Sequence, residues 1–219
     1  MTRPLLRLML LAGLTALVGC SEHLNTAEDQ YTDWQARNVE AFDQEFDLAK
    51  NAIATAKAQY GVDWEQNCSY RLYRNYQLVD SRTGTRRDSI IVRIIDQGAG
   101  DICPLYTDTV RYNYISRLLP TDTDPTGKMF SHSGTTIYPA DIFSPTTSVP
   151  YKACVRNMNP GVSTALMQMH IGDRWIVTIP PELGYGDDGT SSIPGYSNLY
   201  FEMQLKGIYH PGQPVPEWQ

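Results

Sequence analysis

No two of the four cysteines, Cys20, Cys68, Cys103 and Cys154, stand in a C-x-x-C pair. Without that spacing neither a zinc site nor thioredoxin-like redox chemistry is expected. The four histidines, His23, His132, His170 and His210, show no metal-type spacing either. G-x-S-x-G is absent, and the only hint of a hydrolase is His132 between Ser131 and Ser133. A hydrolase needs nucleophile, base and orienter together, and an exposed loop histidine accounts for this cluster better. No basic stripe with interleaved aromatics occurs, and 18 Lys and Arg face 24 Asp and Glu, a formal charge of −6. Such a surface repels phosphate backbones, so nucleic acid is not an expected partner. There is no internal repeat, no motif that asks for a cofactor, and residues 8–18 form an apolar run too short to span a bilayer.

The chain has 219 residues, 42% hydrophobic and 19% charged, which calls for a globular core. Tyrosine is abundant, at 14 residues, and this favours β-structure and amphipathic pockets over a Leu/Ala helix bundle. At the N-terminus, Arg3 and Arg7 flank the short apolar run, and Gly19-Cys20 follows it. A basic n-region with a short h-region reads as a secretory signal over residues 1–19. Leu17-Val18-Gly19-Cys20 resembles the lipobox of bacterial lipoproteins. The resemblance implies cleavage before Cys20, acylation of its thiol and anchoring to a membrane. The implied location is the cell envelope, most simply the outer membrane on its periplasmic side or surface. An ordinary secreted protein with an incidental cysteine is the plainer alternative. An exported chain meets oxidising conditions, so the other three cysteines permit one disulfide. A hairpin pairing Val79 with Ser89 would bring Cys68 opposite Gly100, near Cys103. Three buried thiols acting as small hydrophobes fit equally well.

Residues 20–31 read as a polar tether. From residue 32 to 61 the pattern is helical: Val39, Phe42, Phe46, Ala49, Ile53, Ala56 and Tyr60 recur at steps of three and four. Asp33 is the expected N-cap and Gly61 the stop. Such a seam can pack on its own domain or pair two copies into a homodimer. After Gly61 the period becomes two. Tyr70, Leu72, Tyr76 and Leu78 mark one strand and Ile90, Val92 and Ile94 the next, with a turn around Thr83-Gly84. Val110, Tyr112, Tyr114 and Leu118 mark a half-buried strand. Residues 131–150 form a long loop, and residues 161–170 a short helix with Val162, Leu166 and Met169 on one face. Trp175, Val177 and Ile179 mark another strand; Leu199, Phe201, Met203 and Leu205 mark the last. The predicted class is α+β: a curled antiparallel β-sheet around a short helix, preceded by an amphipathic helix. The main domain spans 64–210, and 211–219 is a Pro-rich tail.

Three motifs, in order, resemble FKBP-type peptidyl-prolyl isomerases. The first is Ile95-x-x-Gly98-x-Gly100-x-x-x-Pro104-x-x-x-Asp108-x-Val110-x-x-x-Tyr114. The second is Gly127-Lys128-Met129-Phe130. The third runs from Met169-x-Ile171-Gly172-Asp173-Arg174 through Thr178-Ile179-Pro180-Pro181-Glu182-Leu183-Gly184-Tyr185-Gly186 to Ile193-Pro194 and Leu199-Tyr200-Phe201-Glu202. Together they cover residues 90–208. The resemblance implies an apolar pocket between sheet and helix that binds X-Pro segments of exported polypeptides. Tyr114, Phe130, Tyr185 and Phe201 would be its catalytic residues, Tyr185 donating its hydroxyl to a substrate carbonyl. Tyr151, Met158, Asn159, Val162 and Ile193 would complete substrate binding. Periodicity alone would place Tyr114, Phe130 and Phe201 in the core. The chain departs from the family at Ser131, where an acid is usual, at Met158-Asn159, where a hydrophobic pair is usual, and at Val162, where Trp forms the pocket floor. The loss of that indole predicts a shallower floor. These departures leave open a second reading, a non-catalytic peptide-binding or chaperone lipoprotein, and a third, an accessory protein of an outer-membrane complex.

Overall fold

The structure, a computed structural model, describes residues 29–78, 83–134, 143–146 and 148–218. The signal segment, Cys20 and most of the expected tether lie outside these residues. Helix α1 spans Trp34–Tyr60. Asp33 precedes it with φ 53° and makes no side-chain cap, so its expected capping role is not performed. The helix ends at Gly61, whose N–H reaches the Lys57 carbonyl and whose φ of 56° suits a residue without Cβ. Trp34, Asn38, Phe42, Ala49 and Ala56 are its buried positions. Phe42 and Ala49 pack with Ile91, Phe46, Tyr70 and Leu72, so the middle of this seam covers the chain's own sheet. Val39 and Tyr60, at the margins of the pattern, are exposed.

Seven strands among the described residues form one antiparallel sheet: β1 (Tyr70–Arg74), β2 (Ser89–Asp96), β3 (Thr109–Arg117), β4 (Met129–His132), β5 (Tyr151–Cys154), β6 (Arg174–Ile179) and β7 (Leu199–Tyr209). Their order is β1-β2-β6-β7-β3-β4, with β5 also paired to β3. The free edge of β3 is thus divided: β4 takes its last residues and β5 its first. The short helix α2 (Pro160–Leu166) lies across the inner face. It ends four residues earlier than periodicity predicts. A Cβ at Gly161 would overlap Ile179, so this glycine lets the helix press directly onto β6. Val162, Ala165 and Leu166 join Ile90, Val92, Val110, Trp175, Val177, Met203 and Leu205 in the main core.

The first hairpin differs from its expected form. β1 stops at Arg74, which pairs with Ser89, so Val79 is not the partner. The cause is local: Asn75 Oδ1 accepts the Gln77 N–H at 3.0 Å and Leu78 N–H returns to the Asn75 carbonyl at 2.8 Å, closing a 3-10 turn. Tyr76 leaves the sheet and packs against Tyr106, ring centroids 5.3 Å apart. With the Ser69 carbonyl bonded to Ile94 N–H, Cys68 lies at that end of β2 and away from Gly100. Cys68, Cys103 and Cys154 are all free thiols, and the suggested Cys68–Cys103 bridge is absent.

β3 is buried on both faces rather than half-buried. The outward residue Arg111 is covered because the tail returns over it: Arg111 Nη2 donates to the Pro216 carbonyl at 2.5 Å. His210 Nδ1 lies 2.9 Å from Asp108 Oδ1, holding the start of the tail. Under α1, Glu45 is largely buried beside Arg93 and Thr178, and the Thr178 hydroxyl faces it without reaching hydrogen-bond geometry. Burial raises the Glu45 pKa above its ordinary 4.5, only partly offset by Thr178 and Arg93.

Candidate functional site

Strand geometry brings distant aromatic residues to one cavity. Alternation along β3 points Tyr112 and Tyr114 inward, and β7 sets Phe201 opposite Ser116, one residue pair along from Ile115. β4 adds Phe130 and Ser131, β5 adds Tyr151, and the entry to α2 adds Asn157, Met158, Asn159 and Val162. Tyr185 reaches in from the loop after β6. Together these eleven residues line a cavity of about 270 Å³. Its floor is dry and its rim wet: Tyr112, Val162 and Phe201 are buried, while Tyr151 and Tyr185 are 46% and 42% exposed.

The rings hold one another. Tyr112 stacks on Tyr114 at 5.2 Å, Tyr114 leans on Phe201 at 5.8 Å, and Phe130 meets Phe201 edge-on at 6.0 Å. Tyr151 stands edge-on to Tyr112 and Tyr114, at 6.0 and 6.1 Å. These offset and T-shaped pairs satisfy the ring quadrupoles and fix the wall without charge. The Tyr114 and Ser131 hydroxyls share a hydrogen bond of 2.9 Å. The Tyr112 hydroxyl donates to the Met158 thioether at 3.3 Å, a weak acceptor. Asn159 Oδ1 accepts the Val162 N–H at 2.9 Å and caps α2.

Among the described residues, none that lines the cavity is an acid, a base, a thiol or a cation. Burial pushes the Tyr112 phenol far above its usual pKa, and the nearby Tyr114, Tyr151 and Tyr185 phenols add to this. Burial also raises Tyr114, with the Ser131 bond working in the opposite direction. Tyr112 and Tyr114 therefore stay neutral. The cavity can enclose an apolar ring and offer a few hydrogen bonds, and its described residues supply no activated nucleophile and no general base.

Of the residues expected from sequence, Tyr114, Phe130, Tyr151, Met158, Asn159, Val162, Tyr185 and Phe201 all line the cavity. Ile193 does not. Its carbonyl closes a turn with the Thr190 N–H at 2.8 Å, and its side chain packs into the main core. Tyr112 and Asn157 were not anticipated. Tyr112 was legible only as an inward strand position, although a hydroxyl two residues before Tyr114 on the same face was a signal. The Ser131, His132 and Ser133 cluster is structural: Ser133 Oγ accepts the Tyr114 N–H at 3.1 Å, and His132 is exposed.

Residues 103–206 match the family model described as FKBP-type peptidyl-prolyl cis-trans isomerase. They form an FKBP-type domain. The match begins at 103, later than the 90 read from the motifs. Among curated proteins, the chain is 37% identical over 117 residues to the FKBP-type 22 kDa peptidyl-prolyl cis-trans isomerase of Escherichia coli, covering 53% of this chain and 48% of that one. It is 24% identical over 181 residues to the FKBP-type isomerase FkpA of the same organism, covering 83% and 58%. Among solved structures, a peptidyl-prolyl isomerase from Pseudomonas syringae aligns with a TM-score of 0.46 and 20% identity, over 77% of this chain and 96% of that one. The chain spans about half the length of its 22 kDa relative, or less of others. Within the FKBP-type domain, the aromatic cavity is built from all three sequence motifs together with Tyr151 and the residues that open α2.

Proposed function

We propose that this protein is a peptidyl-prolyl cis–trans isomerase acting on X-Pro segments of exported polypeptides. The observation that carries this is the uncharged aromatic cavity on the inner face of the FKBP-type domain. Rotation about an X-Pro bond is slow because amide resonance is lost at the twisted midpoint. No covalent step is needed to speed it. A dry cavity favours the twisted amide, which is less conjugated and less dipolar than either planar form. Interactions stronger at the midpoint than in the planar forms lower the barrier. Phe130, Phe201 and Tyr112 would enclose the proline ring over Val162, and the half-exposed Tyr185 would donate its hydroxyl to a substrate carbonyl.

The test is proline-limited refolding of a substrate protein with and without the purified protein. Acceleration that falls about three- to tenfold in Tyr185→Phe, the value of one hydrogen bond, supports the reading. Full activity in Tyr185→Phe removes the role given to that hydroxyl, and no acceleration by wild type removes the isomerase. A binding-only reading draws on one observation, the Tyr114 hydroxyl tied to Ser131 where the family usually has an acid. Tight binding of proline peptides without acceleration would establish it.

The lipobox-like sequence supports an anchor through an acylated Cys20, which places the domain at a membrane of the cell envelope. Incorporation of a clickable fatty acid that is lost in Cys20→Ala is the expected outcome. Equal labelling of both proteins would sink the anchor.

A further inference from the structure

Helix α1 bonds to the far side of the domain through side chains 163 and 160 residues away. Trp34 Nε1 donates to Ser197 Oγ at 2.9 Å, and that hydroxyl donates onward to the Pro194 carbonyl at 2.6 Å. One turn later, Asn38 Oδ1 accepts the Asn198 N–H at 2.8 Å. The Asn38 carbonyl accepts from Asn198 Nδ2 at 2.6 Å. Asn38 Nδ2 returns to the Trp34 carbonyl at 2.8 Å, which orients its amide. Trp34, Asn38, Ser197 and Asn198 are all buried. Breaking any of these bonds leaves a polar group unpaired away from water, so the linkage has one favoured geometry.

The segment held this way is the loop that carries Tyr185. Gly186 N–H donates to the Pro181 carbonyl at 2.9 Å, and Tyr196 N–H donates to the Gly186 carbonyl at 3.0 Å. Tyr196 has φ 60°, a left-handed conformation that a non-glycine residue keeps only where its surroundings hold it. Next to it stand the two residues gripped by the helix. The bonds therefore run from Trp34 and Asn38, through Ser197, Asn198 and Tyr196, to Gly186, adjacent to Tyr185. The same end of α1 also reaches the loop that leads to Phe130: Arg37 Nη2 donates to the Pro120 carbonyl at 3.2 Å.

We propose that Trp34 and Asn38 are positioning residues of the isomerase pocket, with α1 setting where the Tyr185 hydroxyl stands over it. The catalytic part rests on the function proposed above, while the mechanical part does not. The experiment uses full-length protein in detergent, with Trp34→Phe, Ser197→Ala and Asn38→Ala. Trp34→Phe and Ser197→Ala remove two ends of one hydrogen bond. Each should lower kcat/KM for a prolyl peptide about three- to tenfold, and together no more than Ser197→Ala alone, which also breaks the bond to Pro194. In a Tyr185→Ala background, Trp34→Phe and Asn38→Ala should add nothing. Hydrogen exchange at the Gly186, Tyr196 and Asn198 amides should quicken in Trp34→Phe while β6 and β7 keep their protection. An undiminished effect in the Tyr185→Ala background, or unchanged exchange in the loop, overturns the proposal. A wild type without isomerase activity whose loop exchange still responds sinks the isomerase reading and leaves the clamp standing.

Discussion

Replacing Val162 by Trp asks what fills the floor of the cavity. On sequence grounds the family's indole is missing there, and restoring it should recover several tens of Å² of apolar contact, about 1–2 kcal/mol in binding at ~25 cal/mol per Å². The burial around Val162 argues for a different outcome. Tyr112 lines the same cavity, is 2% exposed, and extends its hydroxyl to Met158 just before α2. Val162 is 3% exposed and belongs to the same buried core as Tyr112, so an indole at 162 is expected to compete with the phenol for space. Val162→Trp alone should therefore overpack, at a cost of ~1–3 kcal/mol. For a chain of this size each kcal/mol moves Tm by about 2–4 °C, so the midpoint should fall by roughly 2–12 °C. Tyr112→Val alone should open a void and cost about 2–4 kcal/mol. Combined, the two changes should compensate, with a coupling of about 1–3 kcal/mol and recovered affinity for a proline peptide. Circular dichroism on heating and a fluorescence titration read both quantities. A Val162→Trp protein that keeps its Tm and binds more tightly would show the floor is open, and strictly additive losses would show that the two residues do not share space.

Three further outcomes are expected. Asn159→Ala should lose about 1 kcal/mol in urea unfolding, because it removes the α2 cap; Asn159→Asp should restore most of it, and failure to do so would mean the side chain acts otherwise. Glu45→Gln should raise Tm at neutral pH. The folded-state pKa of Glu45 lies above the unfolded value, so its contribution is most favourable below the ordinary 4.5 and is lost as pH rises through the folded pKa; the gain in the variant should vanish on acidification, and a pH-independent gain would refute the assignment. Denatured, unreduced protein lacking residues 1–20 should react with a thiol reagent at Cys68, Cys103 and Cys154 alike, and a single reactive thiol would reinstate a disulfide.

Long periodic segments were the readable part of this fold. The helix between Val39 and Tyr60 and the strands β2, β3, β6 and β7 all reappear, because each carries apolar residues at its element's period toward the core. The short strands β4 and β5 have four residues each, too few for a period to show. β1 was read too long because Tyr76 and Leu78 continue its alternation while Asn75 breaks the backbone, and a side-chain-made turn is invisible to hydrophobic pattern. The site was legible through motifs, which specify residue types in order. Tyr112 escaped since its importance depends on the rings and the thioether gathered around it from distant parts of the chain. Ile193 failed for the converse reason: motif position says which loop a residue occupies but not which way the loop turns its side chain.

Strand order also carries a consequence for how the chain comes together. β7 lies between β6 and β3, and among the described residues no other strand joins those two. Until residues 199–209 are present, β3 has only β4 and β5, and β6 has only β2. Two half-sheets then expose the apolar faces destined for the core. Such late, long-range closure slows folding. It also keeps a partly synthesised chain from locking into its final form. A product cut short before Leu199 should be a target for proteases and chaperones, with neither half able to stand alone.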